Sequence, residues 1–306
     1  MSSEGLFTRY PINRLLTGEE IRNRLSQKEP SRSPPHDRLS VIKMNSTFLE
    51  CCDIYFGKRG KKTAAFLGIL IIGLYIFQDL ILSFLFQHPD IDNDTRPAAL
   101  LIIFFLVLVF GFILLRHELF KWTHYPIRFN RKTRMVYVFG QDGTVLCESW
   151  DKLCFVLSKC RNGKYEIRAH CLAEDDDTVL ETFSLPYEST YSIREKVPDI
   201  FSQWEFVRRY MEDGPEKLVR VLKFTMNVAE KRETYYDGYQ RLGAGLPPVL
   251  FVLFSPLTFF YAIGRWLSMQ SSEIPVWPAE IEAECAIAPD DPYQVDEQHP
   301  PEGVEP

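Results

Sequence analysis

Two apolar runs decide the architecture of this chain: AAFLGILIIGLYIFQDLILSFLF at residues 64–86 and AALLIIFFLVLVFGFILL at residues 98–115. An α-helix rises about 1.5 Å per residue, so about 20 apolar residues cross the ~30 Å hydrocarbon core of a bilayer. Both runs have about this length, and only the acidic link HPDIDNDTRP, residues 88–97, separates them. The sequence therefore predicts a two-helix transmembrane hairpin over residues 63–115.

Basic residues flank both ends of this hairpin. Those nearest the two runs are Lys58, Arg59, Lys61, Lys62, Arg116 and Lys121. The link between the runs carries Asp90, Asp92 and Asp94 against one Arg96. Because cytoplasmic ends of membrane helices are enriched in Lys and Arg, both flanks are predicted to lie in the cytoplasm, together with the N-terminus.

Asp79 is the one acidic residue within the first apolar run. An ionisable side chain at membrane depth is a candidate functional residue. Asp79 would then contact another protein, or Thr258 and Tyr261 of a third apolar segment. The alternative is that the carboxyl group reaches the outer interface or is neutralised by protonation. Both interpretations stay open at this point.

The third apolar segment is LPPVLFVLFSPLTFFYAI, residues 246–263. A membrane helix tolerates its prolines when neighbouring groups satisfy the freed carbonyls, so a third span is possible. A re-entrant or interfacial segment is the alternative that we favour for residues 244–267. Residues 268–306 form an acidic, Pro-rich tail without a single Lys or Arg, in which Trp277 is a candidate contact for a partner.

The remaining segments predict a soluble domain between basic and acidic ends. Residues 1–40 have the composition of a disordered basic arm, and residues 41–62 that of a juxtamembrane segment. Residues 116–191 alternate as about six short antiparallel strands, with the hairpin signal Asn162-Gly163. Residues 192–243 form a helical part that begins with an amphipathic helix. The predicted fold class is therefore a membrane-anchored α+β protein: the transmembrane hairpin, a cytoplasmic antiparallel β domain of pleckstrin-homology-like shape with C-terminal helices, and the third apolar segment.

The sequence contains no catalytic signature. Its seven cysteines and six histidines match no zinc-ligand spacing, and no phosphate-binding loop or nucleophile elbow occurs. His170 beside Cys171, and the acidic residues Glu174 to Asp177, are interpreted as a strand position and a loop tip. We expect no catalytic residue, no cofactor and no metal, and the chain is not expected to be an enzyme. The basic arm is expected to contact anionic lipid rather than nucleic acid.

Several stretches together resemble a known family. They are HYPIRFNRKTRMVYVF (124–139), WEFVRRYMEDGP (204–215), FSPLTFFYAIGRWL (254–267) and IPVWPAEIEAEC (274–285). They are similar to bacterial inner-membrane proteins that carry a domain of unknown function and are often encoded near type VI secretion effector genes. The resemblance covers about residues 40–295 and brings no catalytic residues with it. It implies a multi-pass protein of the bacterial inner membrane that accompanies a secreted toxin.

Two hypotheses of function follow. In the first, the chain is a membrane-anchored binding protein, specifically an immunity protein or partner of a type VI secretion effector. In the second, it is a structural or adaptor protein of a membrane-bound secretion or envelope complex. The lipid bilayer is a partner in both, whereas the sequence is silent on the oligomeric state and on the identity of the protein partner.

Overall fold

The chain is described by a computed structural model that covers all residues except 1–9, 86–95, 117, 161–162, 190–198, 223, 244–246 and 302–306; the side chains of 76, 79–85, 96–100, 114 and 189 are also outside the described part. The chain forms two compact units. Unit 1 comprises Met1–Gly57, Trp122–Lys231 and Ile274–Pro306. Unit 2 comprises Lys58–Lys121 and Arg232–Glu273.

Unit 1 is built on two five-stranded antiparallel sheets. The first sheet has the order β3-β4-β5-β6-β7 and consists of β3 (Val41–Met44), β4 (Phe48–Cys51), β5 (Ile127–Asn130), β6 (Met135–Phe139) and β7 (Val145–Ser149). The second has the order β1-β10-β9-β8-β2 and consists of β1 (Arg14–Leu15), β2 (Arg24–Leu25), β8 (Cys154–Lys159), β9 (Tyr165–Leu172) and β10 (Thr178–Ser189).

The two sheets share one core with helix α4 (Asp199–Glu212). Phe129 contributes from the first sheet, Phe155 from the second and Trp204 from the helix, and Trp150 packs against all three rings. Burial of aromatic side chains of this size contributes strongly to folding. The predicted amphipathic face of α4 is confirmed at Trp204, Val207 and Met211, which are all buried.

The outer face of each sheet is covered by chain from one end of the sequence. Residues 10–25, including helix α1 (Gly18–Arg22), cover the second sheet and supply its two edge strands. Helix α7 (Ala279–Glu284) lies in the segment that covers the first sheet, where Trp277 and Ile281 pack with Phe139. Residues within the segment predicted as a disordered arm are therefore ordered here, because they pair with β8 and β10.

Unit 2 contains four helices: α2 (Lys61–Leu85), α3 (Arg96–Leu115), α5 (Tyr235–Gly243) and α6 (Pro248–Gln270). Helices α2 and α3 are antiparallel, since Phe77 stacks on Phe104 with ring centroids 5.2 Å apart while Phe66 lies at Gly111. Helix α6 packs against α2 at Gly264 and Ala64, and against α5 through Tyr239 and Phe251.

The predicted two-helix transmembrane hairpin is wrong. Among the described residues, Pro248–Gln270 is the one helix long and apolar enough to cross a membrane, and the second apolar run contributes only the shorter apolar stretch Leu101–Ile113. A stretch of that length is typical of packed or interfacial helices. Apolar composition indicates only that exposure of the side chains to water is unfavourable. Helices α2 and α3 bury part of their apolar surface by packing against each other. The link at residues 88–97 lies largely outside the described residues.

The predicted β domain is also wrong in extent. The sequence predicts a single six-stranded, pleckstrin-homology-like domain over residues 116–191, whereas the described residues form ten strands in two sheets. The sequence interpretation misses β3 and β4, which come from the segment assigned to the membrane surface, and β1 and β2, which come from the arm. These strands are short, and they are stable only because distant strands provide their hydrogen-bonding partners.

Candidate membrane-contact site

Helix α6 has two halves of different character. Large apolar side chains in its N-terminal half are exposed, led by Val249 (79%), Val252 (70%) and Leu253 (67%). In the C-terminal half, Ala262, Arg265 and Met269 are buried within unit 2. Exposed side chains of this size are unfavourable in water. The N-terminal half of α6 is therefore the candidate membrane-contact site.

The apolar surface of unit 2 extends beyond α6. Ile72 and Tyr75 on α2, and Phe105 and Phe112 on α3, are also more than half exposed. A contiguous apolar patch of unusual size marks a site of contact with a membrane or another protein. Unit 2 therefore exposes large apolar side chains on α2 and α3 as well as on α6.

The C-terminal half of α6 contacts a buried polar cluster. Arg265 is paired with Glu233, with Arg265 Nη2 at 2.6 Å from Glu233 Oε2, and Arg241 Nε donates to the other carboxylate oxygen of Glu233 at 3.0 Å. The Arg265 side chain is 1% exposed and that of Glu233 is 3% exposed. The Arg265 Nε also donates to Glu233 Oε2 at 2.8 Å. Buried charges need close partners of this kind, because each charge loses its hydration.

Glu118 organises the start of helix α2. Its carboxylate accepts hydrogen bonds from the backbone N–H groups of Gly60 and Thr63, each at 2.7 Å, and from the Thr63 hydroxyl. N–H groups at the start of a helix have no partner within it. The carboxylate also complements the positive end of the helix dipole. The sequence interpretation did not identify Glu118 or Glu233 as important; the only signal was an acidic residue within an otherwise basic flank.

The six predicted membrane-orienting residues have different environments. Lys61, Arg116 and Lys121 are exposed, and Lys58 is half-buried. Arg59 is buried and donates to the backbone carbonyl of Glu118 at 3.1 Å and to the Ser272 hydroxyl at 2.6 Å. Its charge is therefore used inside unit 2 and is not presented to lipid headgroups.

Lys62 is also partly withdrawn from solvent. Burial lowers its pKa to about 8, and the opposing effect of the nearby Glu118 carboxylate only partly compensates. A neutral amine is favoured where hydration is lost. Lys62 therefore still carries its charge at pH 7, but it loses that charge at a lower pH than an exposed lysine does.

The structure describes the side chain of only one of the two candidate partner contacts. The backbone of Asp79 lies in α2, but its side chain is outside the described residues. Trp277 is 7% exposed, packs edge-on against Phe139 with centroids 5.8 Å apart, and lies under the Arg128 guanidinium at 4.7 Å. Trp277 thus holds the C-terminal segment on the first sheet of unit 1.

His170 lies beneath the N-terminal arm of unit 1. It is fully buried, its Nδ1 is 2.8 Å from the Thr182 hydroxyl, and its Nε2 is 3.4 Å from Glu20, which also pairs with Arg14. Desolvation lowers the pKa of His170 to about 4, although the Glu20 carboxylate opposes this shift. Burial alone would raise the pKa of Glu20, but hydrogen bonds from Arg14 and Thr17 overcome it and hold that pKa at about 2. Within the described residues, no group of His, Cys, Asp and Glu could hold a metal ion.

This arrangement predicts that unit 1 loses stability on acidification. The unfolded chain protonates His170 near pH 6.5 while the folded chain resists until about pH 4, so stability falls across that window. Glu20 adds a further loss as the pH falls from 4.5 toward 2. We expect unit 1 to be less stable at pH 4 than at pH 7 by on the order of 2 kcal/mol from His170 alone. Urea unfolding of the wild type and His170→Gln checks this; equal pH dependence in both would contradict the assignment.

Comparison with known proteins identifies a family, but the function of that family is unknown. No curated protein and no solved structure matches the chain. A model of a family of unknown function, DUF6708, matches residues 103–289. That range includes most of α3, strands β5 to β10, helix α6 and the C-terminal segment with Trp277. Because the match covers more than half of the sequence, the chain belongs to the DUF6708 family of unknown function.

Proposed function

We propose that this chain is a membrane-attached binding protein whose partner is another protein. The observation that carries the proposal is the exposed apolar half of α6, which is the one helix among the described residues that is both long and apolar enough to cross a bilayer. Lipid is the environment in which such a surface is favourable. Three of the flanking basic residues, Lys61, Arg116 and Lys121, are exposed and suit contact with anionic headgroups.

The arrangement of polar groups supports binding in preference to catalysis. Arg265, Glu118 and Arg59 hold helices together, and His170 and Glu20 hold the arm on its sheet. These strongly buried ionisable networks of the described residues each have a structural task. A binding protein needs a stable scaffold and an exposed surface for its partner. The buried ion pairs and hydrogen bonds stabilise the scaffold.

The class of partner is proposed from the family resemblance of the sequence. We propose a membrane-attached partner of a type VI secretion effector, most specifically an immunity protein. It would lie in a bacterial cytoplasmic membrane with its N-terminus inside, and a stable scaffold of this kind suits such a role. An adaptor of a secretion or envelope complex is the second candidate. The large apolar surface of unit 2 favours it, since other membrane subunits would also cover such a surface.

Membrane attachment is tested on α6. Replacing Val252 and Leu253 by aspartate is expected to move the chain out of the membrane fraction, because a carboxylate in contact with lipid is costly, up to about 2.5–3.5 kcal/mol at the centre of a membrane helix and less toward its ends. The control replaces Leu15 of unit 1, which is 66% exposed, by aspartate and should leave the fractionation unchanged. Retention of the double variant in the membrane after an alkaline wash would contradict the role of α6.

The partner is tested by affinity purification of the full chain in detergent from its native cells, followed by mass spectrometry. Recovery of one secreted toxin in stoichiometric amount, with loss of resistance to sister cells when the gene is deleted, is the expected result. Recovery of secretion-machinery subunits and no toxicity on deletion would establish the adaptor role. Recovery of neither class of protein would contradict both.

A further inference from the structure

Strand β7 leaves one side of the first sheet open. It is the last strand in the order β3-β4-β5-β6-β7, and among the described residues it pairs only with β6, with Leu146 opposite Val138 and Glu148 opposite Val136. The N–H of Gly140 donates to the carbonyl of Thr144, and the N–H of Trp150 donates to the carbonyl of Arg134. The backbone hydrogen-bonding groups of the even-numbered residues in β7 therefore point toward β6. In an antiparallel pair the intervening residues then direct their backbone groups away from the partner strand. The backbone groups of Val145, Cys147 and Ser149 therefore lie along the open edge.

This edge lacks most of the usual protection. Open edges are normally blocked by lysine, proline, a bulge or a covering segment. The sequence of β7 is VLCES, its register with β6 is regular, and Cys147 at its centre is exposed. Two groups have side-chain partners: the Ser149 N–H donates to the Glu148 carboxylate at 2.8 Å, and the Val145 carbonyl accepts a weak hydrogen bond from the Cys147 thiol at 4.0 Å. Within the described part of the chain, no backbone group hydrogen-bonds to the backbone of Val145 or Cys147 on this side.

We propose that β7 binds β7 of a second copy of this chain, antiparallel about a two-fold axis through Cys147. Cys147 of each copy would exchange both backbone hydrogen bonds with Cys147 of the other, and the two first sheets would become one continuous sheet. A two-fold contact of this kind uses the same surface on both molecules and closes on itself. The inference is independent of the proposed function, which concerns a different protein.

The charges near the open edge favour a second copy of the chain as the binding partner of β7. Asp142 and Lys152 are both exposed and lie at equal distance in sequence before and after Cys147. Asp142 lies in the turn before β7 and Lys152 in the short 3-10 helix after it, so antiparallel pairing about Cys147 would bring the turn that carries Asp142 in one copy to the end of β7 followed by Lys152 in the other. Glu148 would face Leu146 of the other copy, so the two carboxylates do not oppose each other directly. The edge is thus complementary to itself in charge as well as in hydrogen bonding.

The test is thiol cross-linking of the purified full chain in detergent with a short bifunctional maleimide. Cα atoms of a hydrogen-bonded antiparallel pair are about 5.5 Å apart, so the two Cys147 thiols are within reach of one reagent. The wild type should give a product of twice the mass, Cys147→Ser should give none, and Cys160→Ser should still give it. Val145→Pro should reduce the yield at least several-fold, because it removes an edge N–H and puts a ring in the path of the second strand. Val145→Ala is its matched control.

A charge exchange makes the test specific. Asp142→Lys should lower the yield, and the double variant Asp142→Lys with Lys152→Asp should restore it. Thermal melting of each variant verifies that unit 1 is folded. Absence of the product in the wild type would overturn the proposal, and so would equal yields for Val145→Pro and Val145→Ala. In native membranes, a product that joins Cys147 to a different protein instead of a second copy would also overturn it.

Discussion

Replacing Gly60 by alanine is expected to be one of the most destabilising single changes in unit 2. The backbone of Gly60 has φ +86°, which L-residues rarely adopt, and a Cβ atom there would lie 2.2 Å from Cα and 2.4 Å from N of Arg265. Those atoms belong to the backbone of α6 and cannot rotate away. Strain at φ and overpacking each cost about 1–3 kcal/mol. We therefore expect a loss of roughly 3–5 kcal/mol from the two effects together.

The measurement is thermal melting of the full chain in detergent, in which a loss of this size should lower the melting temperature of unit 2 by about 10 °C or more. Gly57→Ala is the matched control, because no atom lies within 4 Å of the position that its methyl group would take, and its φ is not in the left-handed region. Equal melting curves for the two variants would show that α6 does not approach the start of α2 at these distances.

Replacing Glu233 by glutamine is expected to have an effect of similar size. Glu233 is the counter-ion of the buried Arg265 and also accepts from Arg241. Glutamine has nearly the same shape but no charge, so Arg265 would stay charged in a site with lost hydration. Breaking a buried ion pair by removal of one partner costs about 3–5 kcal/mol. The loss should appear as a lower melting temperature of unit 2.

The control for Glu233→Gln is Glu230→Gln three residues earlier. The Glu230 side chain is 64% exposed, and its pair with Lys43 spans 3.4 Å at the surface. Exposed pairs contribute about 0–1 kcal/mol, so this control should melt as the wild type does. A second check replaces both Arg265 and Glu233 by apolar residues of similar volume, which should recover part of the lost stability. If Glu230→Gln were as damaging as Glu233→Gln, burial of the Arg265 pair would not explain the effect.

Local sequence patterns were enough to predict the character of many helices and strands. The apolar runs at residues 64–86, 98–115 and 246–263 all contribute helices, because continuous apolar composition over that length favours helix formation. The amphipathic face of α4 and the hairpins between β5 and β10 were also predictable, since periodicity and turn residues act between near neighbours. Because the sequence contains no catalytic signature, the proposed class of function rests on the exposed surface of the structure and on the family resemblance.

Which of these elements pack together, and what their polar residues bind, depends on long-range contacts. Apolar length cannot distinguish packing against protein from contact with lipid, and for this reason the predicted hairpin at residues 63–115 was wrong. Arg59 is a basic residue beside an apolar run, and the sequence therefore predicts that it lies at the membrane surface. In the structure it donates to Glu118 and Ser272 inside unit 2. Trp277 has the signal of an exposed docking residue, yet Phe139 and Arg128 bury it. The partners of Arg59 are 59 and 213 residues away in the chain, and contacts over such distances in sequence depend on the fold of the whole unit.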